Sequence, residues 1–239
     1  MDVPTTFFEQ CVFISVDFQE MPCPTQPRQR HTPETLPPSW IRAGITAEDA
    51  NAADDYLHQV AFPNACRVVE ACRSLPIPMI FIHWGCLFED AMDLDPEVCA
   101  EFLATFGPDR TRWPHHLQDP SSRPPHAFRI QPSEYVLPKA AQDAFASSNL
   151  DYMLRNLQCK RIVFIGGHTN ACLGKTAGSA RARGYETLCV EDATFAACES
   201  WRLKHIVGHY DYVVTTAQLL ALIEQAREQK GDLPGQAAE

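Results

Sequence analysis

Residues 161–192 read RIVFIGGHTNACLGKTAGSARARGYETLCVED, and this stretch decides the fold. RIVFIGG is a β-branched apolar run closed by two glycines, the pattern of a strand buried on both faces. HTN then marks a turn, and ACLGKTAGSARARG predicts a helix of small residues ended by Gly184. YETLCVED predicts the next strand.

The same alternation continues outward in both directions. CVFISVD (11–17), PMIFIHW (78–84), SEYVLPK (133–139) and DYVVTT (211–216) read as further strands. Helices are expected over about 64–74, closed by Pro76, over 96–106 and 149–157, up to about 206, and in the amphipathic AQLLALIEQAREQ (217–229). Strands alternating with helices imply a parallel sheet covered on both faces, an α/β/α three-layer sandwich. Residues 22–56, with Pro22, Pro24, Pro27, Pro33, Pro37 and Pro38, read as a long irregular segment with a short helix from Ala47. Residues 86–128, rich in Pro, His and acids, read as a second excursion. Segments this long in compact domains serve as lids or binding loops. The tail KGDLPGQAAE is expected to fray.

The 239 residues carry 45% hydrophobic and 21% charged side chains, ordinary values for one globular domain over 1–239. A formal net charge of −10 argues against nucleic acid as a partner. No apolar run is long enough to span a bilayer, and MDVPTTFFEQ lacks the features of a signal peptide, so the expected location is cytoplasmic. The ten cysteines form no C-x-x-C pair and are expected to be reduced.

In such sheets ligands bind beyond the carboxyl ends of the strands. Asp17, His83, Trp84, Lys139 and Gly166–His168 all fall at strand ends, and Cys172 opens the next helix. A helix N-terminus favours thiolate and lowers a cysteine pKa, and its N–H groups can hold an oxyanion. A buried inert cysteine, a turn-capping aspartate and a solvated loop lysine explain Cys172, Asp17 and Lys139 equally well one at a time. Together they supply a nucleophile, a base that can return its proton, and a cation to hold both.

FISVDFQ, LPKAAQDAF and RIVFIGGHTNACLGKTAGSARARGYETLCVEDATFA resemble the isochorismatase-like cysteine hydrolase superfamily, which includes nicotinamidases, N-carbamoylsarcosine amidases, and ureidoacrylate and biuret amidohydrolases. The resemblance covers the first strand and about 80 residues after Val136. It implies a Rossmann-like sheet. It makes Asp17 the general base and acid, Lys139 its charged partner and Cys172 the nucleophile. It places a cis peptide at Gly167–His168, with the N–H groups of His168 and Cys172 as oxyanion hole, and sets Gln19, Trp84 and Phe145 along the substrate pocket. It also implies a homodimer or homotetramer. The metal-binding D-x-H of nicotinamidases is missing from HWGCLFEDAMD (83–93). His115-His116 and His205/His209 lack a third partner, so neither metal nor cofactor is expected. The implied activity is thioester-forming cleavage of a small amide or urea-type C–N bond. The alternatives are a vinyl-ether hydrolase and a catalytically silent, thiol-sensing member.

Overall fold

The computed structural model describes residues 3–20, 30–116 and 119–231. Six parallel strands form one sheet: β1 (Cys11–Val16), β2 (Met79–Trp84), β3 (Tyr135–Lys139), β4 (Arg161–Gly167), β5 (Glu186–Phe195) and β6 (Tyr212–Val214). Their order is β3-β2-β1-β4-β5-β6. The order reverses between β1 and β4, which pair in register from Cys11↔Arg161 to Val16↔Gly166. A doubly wound sheet opens its ligand crevice at this reversal, beyond the carboxyl ends of the strands.

The strands bury side chains on both faces. Cys11 and Phe13 of β1 join one cluster with α3 (Phe62–Arg73) and α9 (Thr216–Gly231). Val12, Ile14 and Val16 join the other with α6 (Leu150–Asn156) and α7 (Cys172–Ala182). This period of two feeding two cores is what a central parallel strand requires.

Three boundaries differ from the sequence expectation. The helix expected from about 64 begins far earlier. Thr46 and Asp49 form a reciprocal capping box that starts α2 (Ala47–Tyr56), and the chain stays helical through a π turn at Leu57–Ala61 into α3. The π turn precedes Pro63, whose ring removes one backbone donor. Strand β5 runs to Phe195 rather than Asp192, because a register shift lets Thr194 and Phe195 pair with Gly166 and Gly167. Helix α8 (Glu199–Lys204) stops two residues before 206.

Both excursions have cores of their own. Helix α1 (Pro38–Arg42) carries Trp40 toward Leu36, Ile45 and Ala50, which pack on Ala197 and Cys198. Residues 86–113, including α4 (Pro96–Phe106), enclose Cys86, Ala91, Leu94 and Trp113 against Trp84 and Phe102. Residues 22–29 and most of the tail lie outside the described residues. None of the described helices is long and apolar enough to cross a membrane.

Candidate active site

Asp17 follows β1 in a left-handed conformation, φ 55°, and its N–H donates to Ile82 of the neighbouring strand. The residue is 7% exposed. Lys139 closes β3, fully buried, and its Nζ donates to Asp17 Oδ2 at 2.8 Å. The ammonium reaches over β2 to do so, because β2 lies between β1 and β3. A charge this deep is costly unless paired, and here each charge is the other's partner.

Cys172 is the first residue of α7, on the other side of β1. Its thiol interacts with both Asp17 and Lys139. Asp17 Oδ1 completes no aligned hydrogen bond among the described residues, which leaves one carboxylate oxygen open beside the thiol. The turn leading to Cys172 is tightly specified. The Gly167–His168 peptide is cis, and the N–H groups of Ala171 and Leu173 both donate to the His168 carbonyl. Gly166 has φ 115° and lies so close to Val16 that a Cβ would meet its carbonyl oxygen. Only glycine fits both demands.

The loop after Lys139 is stitched to the same helix. Asp143 caps α5 (Ala144–Ser147) through the Phe145 N–H at 2.9 Å and accepts from Ser179 Oγ of α7 at 2.6 Å. The Ala144 N–H donates to Thr176 Oγ1 at 3.1 Å. The lysine and the cysteine are therefore anchored to each other by more than their charges.

Electrostatics correct one expectation. Burial pushes the Cys172 thiol up to about 12, and the Asp17 carboxylate adds to the rise while Lys139 opposes it. The helix N-terminus does not win, because the sulfur is buried and a carboxylate stands beside it. Burial also raises Asp17 above its ordinary 3.8, with Lys139 offsetting part of the effect. Burial opposes charge on Lys139, but Asp17 and Cys172 outweigh it and hold its pKa above 10.5. The resting arrangement is thiol, carboxylate and ammonium. Moving the thiol proton to Asp17 leaves the summed charge of the three unchanged, so the transfer needs no counter-charge from outside.

The other expected site residues are placed differently. Gln19 is 2% exposed and its amide is committed: Nε2 donates to Trp84 O at 2.9 Å and Ser122 O at 2.7 Å, and Oε1 accepts from Trp84 N at 3.1 Å. It braces the end of β1 to the end of β2 and the second excursion, rather than offering polar atoms to a pocket. Trp84 is half-buried, its Nε1 donating to Ala140 O at 2.7 Å. Phe145 packs on Tyr185, with the Arg183 guanidinium 4.6 Å above its ring. That is the opposite end of α7 from Cys172, so the pocket role expected of Phe145 finds no support in its placement. Trp40, expected from the sequence only as an apolar residue of the 22–56 segment in need of cover, has its ring 6.3 Å from that of His168, and Phe195, missed from the sequence, lies 5.4 Å from the same imidazole.

The histidines are dispersed. His83 is buried and held low, at about 4, by burial with Arg123 and Lys139 adding to it, so it is neutral. His115 lies against Trp84, while His116 Nε2 is 3.0 Å from Glu89 O. His205 and His209 pair with each other near α8, their ring centroids 5.8 Å apart.

The chain is similar to several known proteins. Ureidoacrylate amidohydrolase RutB of Variovorax paradoxus is 27% identical over 57% of this chain, and the match spans 56% of that protein's length. RutB of Caulobacter segnis is 29% identical over 71% of this chain and 73% of its own. A cysteine hydrolase from Pseudomonas syringae pv. phaseolicola shares the fold at TM-score 0.66 and 19% identity, over 95% of this chain and 96% of that one. N-carbamoylsarcosine amidase from Thermoplasma acidophilum does so at TM-score 0.59 and 21% identity, over 86% and 96%. The isochorismatase domain itself matches residues 44–218, from the start of the first long helix into the last. With the sheet order, the strand-end acid and lysine and the turn into α7 in hand, the chain belongs to the isochorismatase family.

Proposed function

We propose that the protein is a cysteine-dependent amidohydrolase acting on a non-peptide C–N bond of a small amide or urea-type substrate. The observation that carries the reading is the buried Lys139–Asp17 pair at 2.8 Å with one Asp17 oxygen open beside the Cys172 thiol. The relatives named as amidohydrolases support the same class.

In the proposed cycle Asp17 takes the thiol proton as sulfur attacks the substrate carbonyl carbon. The developing oxyanion is held by backbone N–H groups of the His168–Cys172 turn. Asp17 then gives its proton to the leaving nitrogen, the C–N bond breaks, and ammonia or an amine departs. Water attacks the thioester, giving its proton to Asp17, and the carbon–sulfur bond breaks. The acid leaves and the proton returns to sulfur. Lys139 stays charged throughout and holds Asp17 in place. One carboxyl thus serves as base and acid in turn.

The test is ammonia release from a panel of small primary amides and ureas, with and without Cys172→Ala. Release that disappears in the variant supports the proposal. Full ammonia release in Cys172→Ala would remove the thioester, and no release from any amide by the wild-type protein would favour the vinyl-ether chemistry of a family member that needs no thiol.

A further inference from the structure

Strand β1 stops short of its neighbour, and a side chain fills the gap. Pairing between β1 and β2 ends at Val16↔Ile82, while β2 runs on to Trp84. Alternate residues of β1 turn their backbone groups toward β2: the Phe13 N–H donates to Pro78 O at 3.0 Å and the Asp17 N–H to Ile82 O at 2.9 Å. A parallel ladder that continued would bring the Trp84 N–H to the Asp17 carbonyl and the Gln19 N–H to the Trp84 carbonyl.

The ladder does not continue, because Asp17 leaves the strand at φ 55°. Both Trp84 groups go to the Gln19 side chain instead. Gln19 Oε1 accepts from the Trp84 N–H at 3.1 Å, and Nε2 donates to the Trp84 carbonyl at 2.9 Å. Nε2 also donates to Ser122 O at 2.7 Å, with His115 Nδ1 3.2 Å away. A primary amide carries the same donor and acceptor as a peptide group, so the side chain takes over the rung that the backbone gives up. Buried backbone groups need such partners, and Gln19 is itself only 2% exposed.

The rung lies beside the buried ion pair. On its far side β2 carries β3, with Trp84 opposite Lys139 and the Gly85 N–H donating to Lys139 O at 3.0 Å. The Gln19 amide, the end of β2 and the end of β3 thus form one line across the sheet. Lys139 Nζ crosses β2 here to reach Asp17 Oδ2 at 2.8 Å. We infer that Gln19 is a positioning residue for the proposed reaction: its amide stands in for a strand rung, so that Asp17 can turn out of β1 and keep its place between Lys139 and Cys172. This rests on the triad reading for what Asp17 does, but not for where Gln19 binds. Without the amide, two buried groups of Trp84 lose their partners. The ladder's own replacement for the N–H is the Asp17 carbonyl, reached by straightening the turn. Straightening it displaces the carboxylate, and a misplacement of about 1 Å costs on the order of 10²-fold in rate.

The experiment uses Gln19→Met, which keeps the length and bulk and removes the bonds. For the amide that the wild-type protein turns over fastest, we expect kcat to fall about 10²-fold with KM within about twofold. Iodoacetamide labelling of Cys172 reads the same geometry without turnover. The Asp17 carboxylate raises the thiol pKa, so a displaced carboxylate speeds labelling at neutral pH. Gln19→Met should give part of the increase that Asp17→Asn gives. Added to Asp17→Asn it should give no more, because both act through one group. Gln19→Asn, one methylene too short to reach both Trp84 groups, carries the measurements if the methionine variant does not fold. Unchanged kcat, a raised KM with kcat intact, or labelling effects that add in the double variant overturn the inference. Failure of the hydrolytic reading shows itself separately, as wild-type protein that releases no ammonia while Gln19→Met still speeds labelling and adds nothing to Asp17→Asn.

Discussion

The Asp17–Lys139 pair and the contact between the two excursions are held in opposite ways. Asp17 and Lys139 meet at 2.8 Å with the lysine side chain wholly buried, one just past the central strand β1 and the other at the end of the edge strand β3. Ser39 and Glu101 meet at 3.4 Å, partly exposed, between two short helices of the excursions. Breaking the first contact strands a charge in the interior, and breaking the second returns two polar groups to water. Rearrangement is thus expensive at the buried pair and cheap between the excursions.

That contrast is broken most severely at Asp17. Asp17→Asn keeps the shape but removes the proton acceptor. Turnover should fall by several orders of magnitude, on the order of 10⁴ for the comparable change in a serine triad. Iodoacetamide labelling of Cys172 should move the other way. The carboxylate raises the thiol pKa and Lys139 lowers it, so removing Asp17 leaves more thiolate at neutral pH. Labelling rates followed by peptide mass would show faster alkylation in the inactive variant. Slower alkylation would mean that Asp17 does not hold the thiol protonated.

Lys139→Ala comes next. It leaves the Asp17 carboxylate buried without its cation, a change that costs about 3–5 kcal/mol in other buried pairs. Denaturant unfolding should show a lower midpoint with the slope unchanged. Ser39→Ala, the matching cut between the two excursions, should leave the midpoint where it was. Similar losses in both would erase the distinction between the two regions.

The pH profile sharpens the same point. Activity requires ionised Asp17, whose pKa is raised above 3.8, so kcat/KM should fall on acidification earlier than for an ordinary aspartate. On the alkaline side the ammonium of Lys139 persists beyond 10.5, so its loss sets a limit above that value. An acid limb at or below pH 3.8 would contradict the buried environment assigned to Asp17.

The smallest expected effect is at Phe145. Phe145→Ala removes the ring beneath Arg183, a contact worth about 0.5–1 kcal/mol at exposed sites. It should lower stability slightly and leave kcat/KM unchanged.

The sheet and the triad were legible because parallel strands buried on both faces write continuous apolar runs, and their carboxyl ends can be read directly. Asp17 and Lys139 stand one residue past or at such an end, and Cys172 opens the helix that follows another. Gln19 was legible as a strand-end neighbour but not as a brace, since nothing in D-x-Q says whether the amide turns to solvent or to Trp84. The thiol was misjudged because a helix start is visible in sequence while the depth at which the sulfur is buried is not. Trp40 was visible only as an apolar residue in a proline-rich stretch. Its contact with His168 depends on how that stretch folds back on α2 and α8, which no periodicity encodes. The longer β5 follows from Gly166 and Gly167, whose missing side chains let a neighbouring strand shift register and continue.

The central claim is that sulfur carries the acyl group. Acid quenching during turnover of a reactive amide, followed by peptide mass mapping, tests it directly. The account predicts that the peptide containing Cys172 gains the mass of the acyl group, that hydroxylamine removes it, and that Cys172→Ala shows neither adduct nor product. Amide hydrolysis that proceeds with no adduct on Cys172 and persists in Cys172→Ala would contradict it.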